Sequence, residues 1–315
     1  MANRTYPANP AEAALRLFVR WFGTRYARAT QVLEQENTDH GLRGVLRVGR
    51  QWTLAMAVVD TLSPEADLPF EAARAAVEQR LDAGGRSLAI WVPRGAQLPT
   101  GEPALSELIA AAETARAVPG GRLELRLPVR LHLRRTATTG SVVTALGGLA
   151  ASWAQFTNRV PGSFQLNSLD LFRLPAVPEE REELAERIVL AAGQPDVDEG
   201  VAIPAEDAWT VNDLEEGGSC VLGSPKPEND ETSASLRRNL RTLLRAAAPA
   251  LQQEADAKAL IVLGAATYAE EEKLSWALRG MDPALYGGYD LIMTVADGVV
   301  KPLLLPGRAA LPWDA

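Results

Sequence analysis

Residues 122–175 read RLELRLPVRLHLRRTATTGSVVTALGGLAASWAQFTNRVPGSFQLNSLDLFRLP. At the start of this stretch, six apolar residues alternate with charged or polar ones, which is typical of a strand with one buried face and one solvated face. The solvated face is mostly arginine and includes Arg126, Arg130 and Arg134. Pro128 falls on the same face and predicts an edge position or a bulge, because proline cannot donate a ladder hydrogen bond.

The remainder of the stretch predicts a helix and a second strand. Turn residues are followed by apolar residues at helical spacing from Val142 to Phe156, which predicts a helix over residues 141–157. Two glycines inside this helix would each cost about 1 kcal/mol relative to alanine, so we expect close packing there. A second apolar run, residues 164–171, predicts a strand that returns beside the first.

The other N-terminal residues alternate predicted helices with predicted strands. Helices are predicted over residues 10–35, 70–82 and 102–117, and strands over residues 42–48, 52–60 and 87–92. A tight hairpin at Gly49 requires antiparallel pairing of the first two strands. We therefore expect an α/β fold of the α+β kind, in which helices cover a single mixed β-sheet.

The charge of the chain is unevenly distributed. Residues 178–232 contain 16 acidic and 3 basic residues, whereas residues 1–177 contain 15 acidic and 20 basic residues. Residues 233–315 contain 9 of each, and the whole chain has a net charge of -8. The basic surplus thus lies with the arginine strand, and the acidic chain as a whole does not exclude an anionic partner.

This distribution also predicts three segments. We expect a mixed α/β domain over residues 1–175, an acidic linker or surface excursion over residues 176–232, and a C-terminal unit over residues 233–315. The C-terminal unit is predicted to be a helix, residues 235–254, followed by a β-α-β-β unit with strands at residues 259–263, 289–295 and 299–305 and a helix at residues 269–279. Inside the acidic segment only residues 179–192 predict a helix, and residues 217–233 resemble a mobile loop in composition.

Several function classes lack their motifs. The sequence has no GxxxxGK[ST] phosphate loop, no GxSxG elbow and no HExxH zinc motif. One cysteine, Cys220, and two histidines, His40 and His132, are too few for a disulfide or for the usual Cys/His zinc site. No apolar run approaches the roughly 18 residues of a membrane span, so we expect a cytoplasmic protein without a membrane partner.

The arginines give the leading hypothesis, a non-catalytic nucleic-acid-associated or scaffolding subunit of a bacterial-type cytoplasmic assembly. Phosphates would contact the arginines, and Trp153 and Phe156 nearby would suit base stacking. The candidate nucleic-acid-binding residues are Arg126, Arg130, Arg134, Arg135 and Arg159 around the strand, and Arg237, Arg241 and Arg245 on the predicted helix of residues 235–254. A solvated sheet face and a solvated helix face are the alternative interpretation of the same residues.

A metal-dependent nuclease or phosphodiesterase is the second hypothesis. Its candidate catalytic residues are Glu34, Asp60, Asp256 and Lys258, with Asp39 nearby, and Mg²⁺ would be its cofactor. The element order is loosely similar to that of nucleases of the restriction-endonuclease-like class, which need an acid and a lysine two residues apart on the next strand. That strand reads SLAIWV here and has neither, so the sequence favours the binder and indicates no cofactor for it.

A protein-interaction module without a nucleic-acid role is the third hypothesis. The acidic residues of the 178–232 segment could cover the basic face in the free protein and leave it when a partner binds. Under this hypothesis, deletion of residues 217–232 would strengthen binding to polyanions.

Overall fold

A computed structural model gives the structure of most of the chain. It describes residues 10–38, 41–60, 68–83, 85, 87–93, 96–117, 121–146, 156, 158–175, 177–215, 217–223, 233–251, 254–263, 278, 280–305 and 311–314. The α-helices are α1 (Pro10–Tyr26), α2 (Leu68–Ala83), α3 (Ala104–Glu113), α4 (Pro178–Ala192) and α5 (Ser233–Ala247). The strands are β1 (Thr30–Thr38), β2 (Gly41–Val48), β3 (Trp52–Asp60), β4 (Leu88–Trp91), β5 (Arg122–Ala137), β6 (Ser141–Leu146), β7 (Gly162–Asn167), β8 (Val201–Asp213), β9 (Cys220–Leu222), β10 (Ala257–Leu263), β11 (Leu291–Ala296) and β12 (Val299–Leu304).

The chain divides into two compact units. The first unit comprises Met1–Arg94, Leu98–Arg122 and Val211–Ala315, and the second comprises Gly95–Gln97 and Leu123–Thr210. Mixed sheets with helices confirm the predicted α+β class, but two sheets take the place of the single sheet expected of the N-terminal residues. The division into a domain, an acidic linker or surface excursion and a C-terminal unit stays a prediction. Among the described residues, no helix combines the length and the apolar character that a membrane span requires.

The first unit is built on a six-stranded sheet in the order β1-β2-β3-β10-β11-β12. β1, β2 and β3 form an antiparallel meander, β10 is parallel to both β3 and β11, and β12 closes the predicted C-terminal hairpin. The tail strands therefore extend the sheet of the N-terminal hairpin. The helix predicted over residues 269–279 lies outside the described residues, apart from Leu278.

Both faces of β3 are buried, as the apolar run of that strand predicts. Leu54, Met56 and Val58 share a core with α1, including Phe18 and Phe22. The alternate residues of β3 pack instead with Leu240 and Leu244 of α5. Because successive strand residues point to opposite faces, helices α1 and α5 cover opposite sides of this sheet.

The helix predicted over residues 10–35 is wrong beyond Tyr26. Ala27 has a positive φ of 50°, which ends α1, and the chain then forms β1. β1 is an edge strand whose residues are exposed after Thr30, and Leu33 lies at a β-bulge opposite β2. Residues 30–38 are a strand because they pair with β2 along their whole length. The local sequence pattern, which favours a helix, contains no information on that pairing.

The second unit contains four strands in the order β6-β7-β5-β8. β7 pairs antiparallel with β5, which confirms the predicted returning strand. The helix predicted over residues 141–157 is wrong, because Ser141–Leu146 is a strand that pairs parallel with β7. Val142, Val143 and Thr144 are β-branched and fit the pleated surface of a sheet. Trp153 lies outside the described residues.

Strands also replace part of the expected acidic linker. Residues 201–213 form β8, in which Val201, Ile203 and Ala205 are buried in one core with α4. Residues 220–222 form β9, which is parallel to β4 in the first unit. α4 has the predicted position, and its Leu184 also lies in the core of the second unit.

Two carboxylates of α2 bond the backbone around β9. The Asp82 carboxylate accepts a hydrogen bond from the Ser219 N–H at 2.7 Å, and the Glu78 carboxylate accepts one from the Val221 N–H at 2.9 Å. Backbone groups at a sheet edge need such partners when they are buried. The two carboxylates of α2 thus accept hydrogen bonds from backbone N–H groups that a neighbouring strand would otherwise bond.

Replacing Glu78 with glutamine is expected to raise the free energy of unfolding at neutral pH. Burial raises the pKa of the Glu78 carboxyl above its usual value of 4.5, against the lowering effects of the Val221 hydrogen bond and the Arg74 charge. The folded state therefore binds this proton more tightly than the unfolded state. The carboxyl contributes most to stability in acid, and this contribution is lost as the pH rises through the raised pKa. Glutamine keeps the acceptor without the buried charge.

Urea unfolding at about pH 7 and about pH 4 measures this difference, which should shrink toward the lower pH. The control is Glu78→Ala, which leaves the Val221 N–H without its acceptor and should cost about 1–3 kcal/mol. A glutamine variant that is less stable than the wild type at neutral pH would contradict the expectation.

Candidate functional site

The face of β5 that carries the predicted arginines is open. Leu131 and Leu133 are fully buried, whereas Arg130, His132 and Arg134 between and beside them are exposed. The buried leucines pack in the core of the second unit with α4. The alternation confirms the predicted half-buried strand, and it leaves a basic column in solvent.

Neighbouring strands extend this open face in two cross-strand rows. In the first row Arg134 lies opposite Gln165 of β7, and Gln165 lies beside Thr144 of β6. In the second row His132, Asn167 and Leu146 are aligned in the same way. Partners in a row project from the same side of the sheet. We use the name "open face" for the side chains of these six residues and of Arg130.

The open face combines basic groups with neutral hydrogen-bonding groups. Thr144 and Asn167 are exposed, and Gln165 is half-buried. The Asn167 side-chain oxygen accepts a hydrogen bond from the Leu169 N–H at 3.2 Å, so its amide N–H₂ points away from that contact. These residues were not among the predicted site residues, because β6 was predicted as a helix. The apolar run of β7 predicts a strand, but the sequence does not give its register with β5 and β6.

Arg126 lies farther along β5 inside a cluster of carboxylates. Its guanidinium is 2.7 Å from Glu124, 2.6 Å from Glu180 of α4 and 3.9 Å from Glu206 of β8. Desolvation alone would lower the pKa of Arg126, but the hydrogen bond to Glu180 and the charges of Glu124 and Glu206 raise it. One cation among three anions makes this end of β5 acidic.

Arg135 contacts the C-terminal end of α4 and the loop that follows it. The Arg135 guanidinium donates to Asp198 at 3.2 Å and to the Ala192 carbonyl at the end of α4 at 3.4 Å. A cation at a helix C-terminus is stabilised by the unpaired carbonyls there. Arg135 also lies 5.6 Å from the centroid of the buried Phe164 ring. Arg135 keeps the alternation of β5, because it follows Leu131 and Leu133 on the inward side of the strand and is half-buried there.

Arg159 is bound to the outer surface of α4. Its guanidinium donates to Glu182 at 3.0 Å and to Glu186 at 2.5 Å, one helical turn apart. It also lies 6.0 Å from the centroid of the buried Phe156 ring. The structure therefore separates the predicted arginines of this unit into two exposed residues on the open face and three ion-paired residues.

A second basic surface lies on α5 in the first unit. Leu240 and Leu244 are buried, and Arg238, Arg241 and Arg245 are exposed on the rest of the helix. Among the residues that the structure describes, these three arginines have no ion pair. The seven-residue interval from the first to the last corresponds to about 10 Å along the axis. The side chain of Arg237 lies outside the described part of the chain.

The structure does not gather the acids of the nuclease hypothesis. Asp60 lies opposite Leu263 at one end of β10, and Lys258 is five residues earlier, about 16 Å along the strand. Glu34 shares a cross-strand row with Lys258, but β2 and β3 separate them, which corresponds to about 14 Å. Asp256 accepts hydrogen bonds from the N–H of Thr53 at 2.8 Å and from its hydroxyl at 2.9 Å.

Metal-ligating groups are also dispersed elsewhere in the described part of the chain. There, no group of three or more His, Cys, Asp and Glu side chains is arranged to hold a metal ion. Asp39, His40 and the side chain of Asp60 lie outside that part. Cys220 is buried in β9.

A cleft of about 390 Å³ lies between α1, β1 and Leu214 in the first unit. Arg16 and Arg20 line it, together with aliphatic side chains. Arg20 donates to the Asp213 carbonyl at 2.9 Å and to Glu215 at 3.1 Å, and Arg16 pairs with Glu12 at 2.8 Å. Because local acceptors engage both guanidiniums, the cleft offers less positive charge than its arginines suggest.

Comparisons with protein-family models, with curated proteins and with solved structures find no match. The functional interpretation therefore depends on the side chains of the open face and of α5.

Proposed function

We propose that the protein is a non-catalytic nucleic-acid-binding subunit of a cytoplasmic assembly. The proposal rests on the exposure of Arg130 and Arg134. Both side chains lie on one side of β5, and neither has a carboxylate partner among the described residues. Cations of this kind bind phosphates and release the counterions condensed on nucleic acid. The three arginines on α5 supply a second surface of the same chemistry.

The open face favours contacts with phosphates over contacts with bases. Single-stranded nucleic acid is usually held by aromatic side chains on which bases stack. Within the described part of β5, β6 and β7, the one aromatic residue other than His132 is Phe164, which is buried. Arginine, amide and hydroxyl groups bind phosphate oxygens without reading sequence. The proposed ligand is therefore the backbone of a nucleic-acid duplex, bound with little sequence preference.

The ion pairs of the second unit also support part of the interaction-module hypothesis. Glu180, Glu182 and Glu186 lie in the acidic 178–232 segment and contact arginines in the free protein. They engage Arg126 and Arg159, while Arg130 and Arg134 keep their exposure. The acidic groups that the structure describes therefore leave Arg130 and Arg134 accessible.

Salt dependence of duplex binding tests the proposal. Fluorescence anisotropy with a labelled duplex of about 20 base pairs should give a log Kobs that falls linearly with log salt concentration. The double variant Arg130→Gln, Arg134→Gln should bind about tenfold more weakly. Its plot of log Kobs against log salt concentration should be less steep, by an amount that corresponds to up to about two phosphate contacts.

The matched control is Arg159→Gln, which removes the same charge from an arginine that is held by α4. It should change the affinity for the duplex less than about twofold and cost at most about 1 kcal/mol of stability. Failure of the wild type to bind at low salt, binding without salt dependence, or equal losses in the two variants would each refute the proposal.

A further inference from the structure

We infer that the phosphate backbone of the duplex crosses strands β5, β7 and β6 along the row of Arg134, Gln165 and Thr144, and does not run along β5. This inference rests on the proposed function and adds the path of the ligand and two contact residues, Gln165 and Thr144. It follows from two features of the second unit: the acidic end of β5 and the composition of the row.

The acidic end of β5 closes the path along that strand. A polyanion that followed β5 from Arg134 past Arg130 would reach Arg126 after four more residues, about 13 Å farther on. Three carboxylates surround Arg126 at 2.6–3.9 Å, so the cluster has a net negative charge. A phosphate there would be repelled, and it would have to displace Glu180 from its 2.6 Å ion pair with Arg126.

The row of Arg134 offers a path without anions. Gln165 and Thr144 are uncharged and can donate hydrogen bonds to phosphate oxygens. Three strands at a spacing of about 4.8 Å make the row about 10 Å wide. In the parallel row, Asn167 adds an amide, whereas Leu146 is 44 % exposed and apolar. The polar path therefore enters at Arg134 and His132 and leaves over Thr144.

Opposite charges at one position test this path in the full-length protein. Gln165→Glu places a carboxylate in the row beside Arg134 and should weaken binding of the duplex of about 20 base pairs roughly tenfold. Gln165→Lys should strengthen it and steepen the salt dependence by about one phosphate contact. Gln165 lies at the sheet surface and is half-buried, so we expect both variants to fold. An unfolding temperature equal to that of the wild type is the check.

The matched variant at the other end of β5 is Glu180→Gln, which reduces the negative charge around Arg126. If the ligand crosses the strands, it should change the affinity less than about twofold. A tenfold gain in Glu180→Gln with little change in either Gln165 variant would show that the ligand runs along β5.

The outcomes separate this inference from the proposed function. Salt-dependent binding that is lost in the Arg130/Arg134 double variant but is insensitive to charge at Gln165 would overturn the crossing path alone. Tighter binding of a single strand of the same length would overturn the assignment of a duplex. No binding by the wild type at low salt would overturn both.

Discussion

Replacing Asp207 with alanine is expected to lower the free energy of unfolding by about 3–5 kcal/mol. Asp207 is 1 % exposed, and its carboxylate accepts three hydrogen bonds. One oxygen accepts from the N–H groups of Phe172 and Arg173 at 2.9 and 2.7 Å, and the other accepts from the Trp209 indole N–H at 2.7 Å. Alanine would leave all three donors without this acceptor, next to a small cavity.

Asp207→Asn refines this test, because asparagine keeps one acceptor oxygen and presents an N–H₂ group to the Trp209 indole. Its loss should lie between zero and that of alanine, and it should diminish when Trp209→Phe removes the opposing donor. Denaturation by urea, followed by tryptophan fluorescence and by circular dichroism, measures these differences. A loss of less than about 1 kcal/mol for alanine would show that solvent replaces the carboxylate at little cost.

Replacing Trp313 with alanine is expected to destabilise the first unit by about 3–5 kcal/mol. Trp313 is 1 % exposed, and its ring meets the rings of Phe22 at 5.2 Å and Tyr26 at 6.0 Å between centroids. Arg28 also donates to the Trp313 carbonyl at 2.6 Å, which positions this residue beside α1. Removal of the indole would open a cavity in the aromatic cluster.

Trp313→Phe is the control for the aromatic cluster. The buried indole N–H of Trp313 has no hydrogen-bond partner in the described part of the chain, so phenylalanine loses volume but no hydrogen bond. The Phe variant should therefore lose about half as much stability as the Ala variant, or less. Equal losses would show that the cluster cannot repack around any smaller ring.

The local sequence pattern predicted those helices and strands whose period of apolar residues is clear over the whole element. The alternation of β5 reveals its two faces, and helical spacing reveals α2, α3 and α4. β6 was mistaken for a helix because its valines satisfy either period over a short run, and pairing with a distant strand decides between them. β8 was missed because the exposed Pro204 and Glu206 and the buried Asp207 interrupt its apolar run.

The candidate site was predictable to a similar extent. Arg130 and Arg134 follow from the period of β5 alone, so their exposure could be foreseen. Arg135 and Arg159 carry the same charge in the sequence, but acids of α4 or its C-terminal loop, more than twenty residues away, neutralise them. The contribution of Gln165 depends on strand register, which a single sequence does not specify.

The edge strand β1 has a consequence for the behaviour of the protein at high concentration. This strand has nine residues, exposes Val32 and Leu33, and contains neither lysine nor proline. A flat edge strand of this composition would template the pairing of one molecule with another and the growth of insoluble ribbons. The bulge at Leu33 twists the edge, and Glu34 adds a charge that repels a second copy. Deletion of Leu33, the extra residue at the bulge, is therefore expected to favour pairing of β1 with a second copy of the chain.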